Sequence, residues 1–396
     1  MGGDTGRIVN GRFVAAAASC FFMTVVFFAH FTAIPSYSID VLGTDAALAG
    51  FVAGIFIVGD IAGRILLGGS LWRWGPNKLC FVSMALGTGI SVLYFLTTDV
   101  LLLCAIGLIH GFTYGVAELS VFARVSADLP PESRGKGLGY FTLSYSLASA
   151  VGPFLSIYLI NEGLYDEIFV LGLVASAGSA VAALCMGRDG RMPVIEKSQT
   201  PRSGSTVISV LPISMVVLVF LISYSGVLTF IAPYGLERGI ENYTLVFYVV
   251  LSVATVVSRV CIMGRYDRVG PDRILVPLLV LYALGMVLLG LAPFGFTILI
   301  SAFTVGLALA TLQAASQVMA VEGLDAREQG LPLATVQIFI DLSYIIGPVA
   351  NGAVSSSVGY SGCYMLMGAV GAVSLVMYLI TCSGWARRRS SENGSA

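Results

Sequence analysis

The sequence predicts an all-α integral membrane protein in which twelve transmembrane helices form two pseudosymmetric six-helix halves. Three observations lead there. Apolar residues make up 57% of the chain and charged residues only 11%, against roughly a quarter charged in a soluble domain, and mean hydropathy is +0.91. Lipid is therefore the solvent. Twelve runs reach the roughly 20 apolar residues that a bilayer crossing needs. A short pattern also recurs at a fixed offset: RILLGGSLWRWGPNK at Arg64–Lys78 and RVCIMGRYDRVGPDR at Arg259–Arg273. The same offset of 195 residues carries Gly111 onto Gly306, Gly135 onto Gly330 and Gly152-Pro153 onto Gly347-Pro348. One spacing kept by four landmarks points to a duplicated polypeptide.

The spans fall in order at 11–36, 46–69, 77–96, 100–124, 135–160, 165–187, 206–234, 243–263, 273–292, 295–320, 330–356 and 360–383. The first passes well beyond Cys20 to about Tyr37, so an uncleaved span is expected in place of a signal peptide. The longest linker, 188–205, is rich in Ser, Arg and Pro. It divides an N-terminal half (1–187) from a C-terminal half (206–383), which a short tail (384–396) follows. Six spans per half is an even number, so both halves face the same way. Lys and Arg set that direction. Arg7, Arg12, Arg73, Lys78, Arg124, Arg134, Lys136, Arg188 to Arg202, Arg265 to Arg273, Arg327 and Arg387 to Arg389 share one side, which should be cytoplasmic and hold both termini. The opposite side carries Arg238 among Asp40, Asp45, Asp99, Glu162, Asp166, Glu167, Glu237 and Glu241.

Charged groups at mid-bilayer cost about 2.5–3.5 kcal/mol on insertion scales, so they face a cavity or a partner. In span one, His30 precedes an expected break at Pro35. In span two, Asp60 and Arg64 are four residues apart, which permits an intrahelical ion pair. In span four, His110, Tyr114 and Glu118 share a face about 12 Å long, read as a wet polar path. Gly107, Gly111 and Gly115 form the neighbouring stripe, expected to admit another helix closely. In span eleven, Asp341 follows Gln337 by one turn; it is expected to be protonated, paired across helices or water-exposed. Tyr224, Tyr234 and Tyr344 serve either an aromatic cavity or helix packing. In the paired loops, Gly69, Gly75, Gly264 and Gly270 permit tight turns. Arg64, Arg73, Arg259, Arg268 and Asp267 suit cytoplasmic contacts that break when that side opens.

Together these segments resemble the major facilitator superfamily over essentially the whole chain. Gly264-Arg265-Tyr266-Asp267-Arg268-Val269-Gly270-Pro271-Asp272-Arg273 is similar to the family's loop between the second and third helices of a half; in the first half Trp72 stands where the motif has its aspartate. Leu129 to Leu138 resembles the basic loop entering helix five. Gly152-Pro153 resembles the antiporter motif, with Ser156 and Ile157 where paired glycines would follow. Ile109 to Gly115 resembles the fourth-helix motif, with Gly107 in place of its arginine.

The resemblance implies alternating access around a midplane site, with Arg64, Gly69, Arg73, Gly75, Arg259, Gly264, Asp267, Arg268 and Gly270 as gate residues and Gly152, Pro153, Gly347 and Pro348 as the paired helix motif. It implies a bacterial inner-membrane exporter of a small organic molecule, of the drug-efflux kind, exchanging substrate for protons and working as a monomer. The candidates for proton coupling or the substrate cavity are His30, Asp60, His110, Tyr114, Glu118, Gln337 and Asp341. Alternatives are an uptake symporter or facilitator for an organic acid or sugar, and a sensor or lipid-handling scaffold. Neither a phosphate loop nor a metal-ligand cluster is legible in the sequence, which disfavours an enzyme, a metal, a cofactor or ATP as energy source. Nucleic acid is not an expected partner. The seven cysteines read as small core residues.

Overall fold

The computed structural model describes residues 10–68, 71–97, 99–129, 134–187, 204–322, 324 and 330–383, with side chains described at all of these except 68, 71, 72, 134–136, 139, 204–207, 264, 267 and 330. The N-terminal half holds α1 (Gly11–Asp40), α2 (Ala46–Gly68), α3 (Pro76–Leu93), α4 (Val100–Asp128), α5 (Arg134–Asn161) and α6 (Tyr165–Cys185). The C-terminal half holds α7 (Gly204–Arg238), α8 (Glu241–Val257), α9 (Pro271–Leu291), α10 (Thr297–Val321) and α11 (Gly330–Thr381). At 52 residues α11 exceeds one crossing, and it breaks at Gly359, whose φ of 74° is left-handed. The pieces on either side supply the eleventh and twelfth spans.

Short polar residues start several helices. Asn10, Asp45 and Asp99 accept the backbone N–H three residues on, at 2.9, 2.7 and 2.9 Å, each satisfying a donor that a helix start leaves unpaired. At α3 and α9 the chain uses Gly75 and Gly270 instead, with φ of 87° and 85°, each followed by proline at the first helical position. The repeated Gly-Pro thus makes a sharp corner and a helix start in one step.

One expectation needs correction. Pro35 does not break span one; α1 runs through it to Asp40. Proline removes a single donor, which a packed transmembrane helix tolerates. The α8 helix ends in a π turn over Ser258–Ile262, which contains Arg259.

Each half packs by the same scheme. In the first, α1 lies on α5 and α6, α2 on α4, and α3 on α4 and α6; in the second, α7 lies on α11, α8 on α10, and α9 on α10 and α11. Equivalent positions do equivalent work. Ser156 donates from α5 to the Ala29 carbonyl of α1 at 3.2 Å; Asn351, at the matching place on α11, donates to the Ile222 carbonyl of α7 at 2.8 Å. Asn77 ties the start of α3 to the Gly187 carbonyl beyond α6 at 2.7 Å. Its counterpart Asp272 accepts from Tyr378 near the end of α11 at 2.8 Å. Outward faces remain apolar, as at Ile65, Leu101 and Ile380, each exposed over more than 70% of its surface, which suits contact with lipid.

Candidate functional site

The site of the first half begins as a close helix crossing. Cβ atoms built at Gly59 and Gly63 of α2 would collide with the Leu108 and Phe112 carbonyls of α4, and ones at Gly111 and Gly115 with the Phe56 and Asp60 carbonyls of α2. Only glycine permits this approach. Gly107 is not part of it; its Cβ would meet only Ile55 at 3.4 Å. The seam sets the register that brings Arg64 opposite Glu118.

Arg64 serves two carboxylates. Its Nη2 lies 2.8 Å from Asp60 Oδ2, one turn back on α2, and donates to Glu118 Oε2 on α4. The Tyr114 hydroxyl donates to the other oxygen of Glu118 at 3.3 Å. Asp60 is almost wholly buried, and Arg64 and Glu118 keep 22% and 16% of their side-chain surface. With both acids ionised the cluster carries one negative charge more than the guanidinium balances. A single proton or organic cation neutralises it.

The polar face of α4 is packed, not wet as expected. His110 and Tyr114 are buried. Tyr114 stacks on Phe27 of α1 at 5.4 Å and lies 5.7 Å from Phe56 of α2. His110 meets Phe56 at 5.7 Å and His30 of α1 at 5.3 Å. The column therefore reads, outward from the carboxylates, Glu118, Tyr114, Phe56, His110, His30.

The second half places no matching charge. At the positions equivalent to Asp60 and Glu118 stand Thr255 and Gln313. Thr255 bonds the Ser252 carbonyl at 2.8 Å, and Arg259 is exposed in the π turn. Asp341 is buried and accepts from Gln337 Nε2 at 2.8 Å, with Tyr344 beside it. Tyr234 serves packing, its hydroxyl donating to the Leu289 carbonyl at 2.6 Å and its ring 5.0 Å from Tyr364. Tyr224 is buried.

Of the paired-loop residues, Arg73 and Arg268 are exposed. Gly69 and the side-chain positions of Gly264 and Asp267 lie outside the described residues, as do most of the 188–205 linker and the 384–396 tail. A Cβ built at Gly152 would lie 3.0 Å from Phe28 and the Val25 carbonyl of α1, and one at Gly347 would collide with the Ser225 hydroxyl of α7; Pro153 and Pro348 sit inside α5 and α11. Among the described residues no cluster of three or more metal-ligating side chains forms, and the seven cysteines are free thiols.

Comparison with known proteins follows the same lines. The profile of the Major Facilitator Superfamily matches residues 14–266 and 253–395. The multidrug resistance protein MdtG of Escherichia fergusonii is 22% identical over 379 residues, covering 90% of this chain and 91% of its own. MdtG of Yersinia enterocolitica is 23% identical over 342 residues, covering 81% and 79%. Among solved structures, the nucleoside transporter NupG superposes with a TM-score of 0.70 at 13% identity over 94% of this chain and all of its own. The inward-open xylose transporter XylE from E. coli gives 0.74 at 14% over 93% and 96%. At such identities these structures speak for the fold alone.

Proposed function

The chain belongs to the Major Facilitator Superfamily and is a membrane transporter, and from that premise we propose that it exports a small amphipathic or weakly charged organic molecule across the cytoplasmic membrane in exchange for protons. The observation that carries this reading is Arg64 shared between Asp60 and Glu118 inside the first half. The multidrug resistance names of its curated relatives support export.

The mechanism follows from charge. Two carboxylates on one guanidinium have a surplus negative charge in a poorly solvated place, where charge imbalance is expensive. A proton on Glu118 removes the surplus and leaves the Arg64 charge to Asp60 alone, while the other Glu118 oxygen still accepts from Tyr114. A cationic substrate removes the same surplus by other means. Two ligands that satisfy one surplus disfavour each other, and the coupling is reciprocal: each raises the other's dissociation constant by the same factor. Exchange is the outcome. Thr255 and Gln313 leave the second half without such a surplus, so titration is confined to the first half and to Asp341. Both termini lie on the cytoplasmic side, the 188–205 linker joins the two halves in sequence, and alternating access proceeds by their rocking, with the chain acting as a monomer.

The test is internal pH in proteoliposomes of purified protein, challenged with lipophilic cations, weak acids and sugars. Proton movement opposite to one of these supports export by exchange. Movement in the same direction establishes uptake by symport, and flux without pH change establishes a facilitator; either replaces this reading.

A further inference from the structure

We propose that His30 and His110 together form a binding site for a single proton, separate from the Arg64 cluster and lying at the far end of the same column. These are the only two histidines of the chain, and the fold brings them together from α1 and α4, with ring centroids 5.3 Å apart at 90°. Tyr94, in the turn that closes α3, touches both, at 4.9 Å from His30 and 5.7 Å from His110.

The hydrogen bonds say where the proton goes. His30 Nδ1 lies 2.9 Å from the Val26 carbonyl. A carbonyl only accepts, so Nδ1 carries the hydrogen and, in the neutral ring, Nε2 is a bare acceptor. That atom is buried without a hydrogen-bond partner among the described residues, and His30 is 3% exposed. A buried lone pair with no donor is unfavourable, and a proton placed there needs an acceptor in turn, which a water beside the ring would supply. Beside the ring is a cavity lined by His30, Tyr94, Phe31, Phe56, Leu103 and Gly107, with about 10 Å³ of space for water centres. That is close to the minimum for one water, so the space beside the ring suits a proton and the water that hydrates it. His110 Nδ1 is held at 3.3 Å by the Tyr94 hydroxyl.

Single occupancy follows from the surroundings. The titratable groups that meet the pair are Tyr94 and each other. On α2 the nearest charged residues are Asp60 and Arg64, and on α4 they are Glu118 beyond Tyr114, at the other end of the column. On α1, Asp40 lies ten residues on, against Tyr165 of α6. From α6 it is Gly172 that faces the His30 ring, and from α5 Tyr145 contacts Phe28 one turn away. Among the described residues no carboxylate is in contact, so an imidazolium here is held by aromatic rings, which attract a cation within about 6 Å of their centroids. A second imidazolium would face the first at 5.3 Å with nothing between them to offset the repulsion. The pair therefore titrates as a unit.

As a coupling site the pair rests on the proton-exchange reading; as a proton site it does not. With only two histidines, ¹⁵N-histidine labelling in nanodiscs gives two ring spectra, assigned by His30→Gln and His110→Gln. In the unmodified protein at neutral pH, His30 should be the Nδ1–H tautomer, a result that needs no variant. On acidification the two rings should together take up one proton, and two rings that both stay neutral down to about pH 4 would overturn the proposal. Removing either ring should shift the midpoint of the other by about one pH unit or more, a tenfold change in proton affinity. Two independent titrations with midpoints indifferent to the partner, or an Nε2–H tautomer at His30, would overturn the proposal. A coupled titration alongside substrate flux that leaves internal pH unchanged keeps the histidine site and removes proton exchange alone.

Discussion

Replacing Arg64 by methionine separates a charge network from a decorative surface pair. The side chain keeps 22% of its surface and Asp60 only 3%, so solvent screening is incomplete at both. Methionine fills much of the volume but leaves Asp60 buried without its guanidinium and Glu118 facing it with like charge. Breaking a buried pair from one side costs about 3–5 kcal/mol. For a unit the size of Met1–Ile195, at about 2–4 °C per kcal/mol, the midpoint should fall by about 6–20 °C. Glu118→Gln is the informative contrast. It leaves one acid for one guanidinium and still accepts from Tyr114, so its cost should stay within about 1 kcal/mol. Removing all three charges together, Asp60→Asn with Arg64→Met and Glu118→Gln, should recover most of the loss, because it leaves no buried charge unpaired. Fluorescence-detected size exclusion after heating ranks the four proteins. If Arg64→Met is as stable as Glu118→Gln, or the triple variant is worse than Arg64→Met, the network does not hold the first half together.

Two further outcomes follow from the packing and the second half. Gly111→Val should destabilise by about 1–3 kcal/mol through overpacking, since its Cβ lands on the Phe56 carbonyl, whereas Gly89→Ala, with nothing within 4 Å of the new atom, should leave stability unchanged or raise it by up to about 1 kcal/mol; equal melting points for the two would refute the α2–α4 seam. Asp341→Asn should keep the fold, because asparagine still accepts from Gln337, while altering the pH dependence of transport; an unchanged pH profile removes Asp341 from proton coupling.

The spans were legible because lipid enforces them: a segment that satisfies its own backbone bonds must be about 20 apolar residues long, and the 195-residue offset exposes the duplication. Pro35 misled because a proline's lost donor weighs less in a packed transmembrane helix than in a free one. Asp60 with Arg64 was readable from helical spacing. The bridge to Glu118 was not, since 54 residues separate it from Arg64 and spacing says nothing across helices. A signal did exist in the matched glycines Gly59 and Gly63 against Gly111 and Gly115, whose equal spacing fixes the α2–α4 register; Gly107 shares the spacing of the second pair but stands outside the close approach. The meeting of His30 with His110 had no such marker. It depends on small residues elsewhere, Gly172 against His30 and Gly87 against His110, which make room for two rings without a pattern of their own. The polar face of α4 looked wet because polar residues in a transmembrane helix suggest water, but aromatic rings of α1 and α2 cover it.

The measurement closest to the central claim is lumenal pH in acid-loaded proteoliposomes on addition of a lipophilic cation, with unmodified protein and with Glu118→Gln and Asp60→Asn side by side. Substrate entry should raise lumenal pH in the unmodified protein and fail to do so in either variant, both still folded. Substrate entry without alkalinisation, or alkalinisation that survives both substitutions, would contradict the assignment of exchange to the carboxylates shared by Arg64.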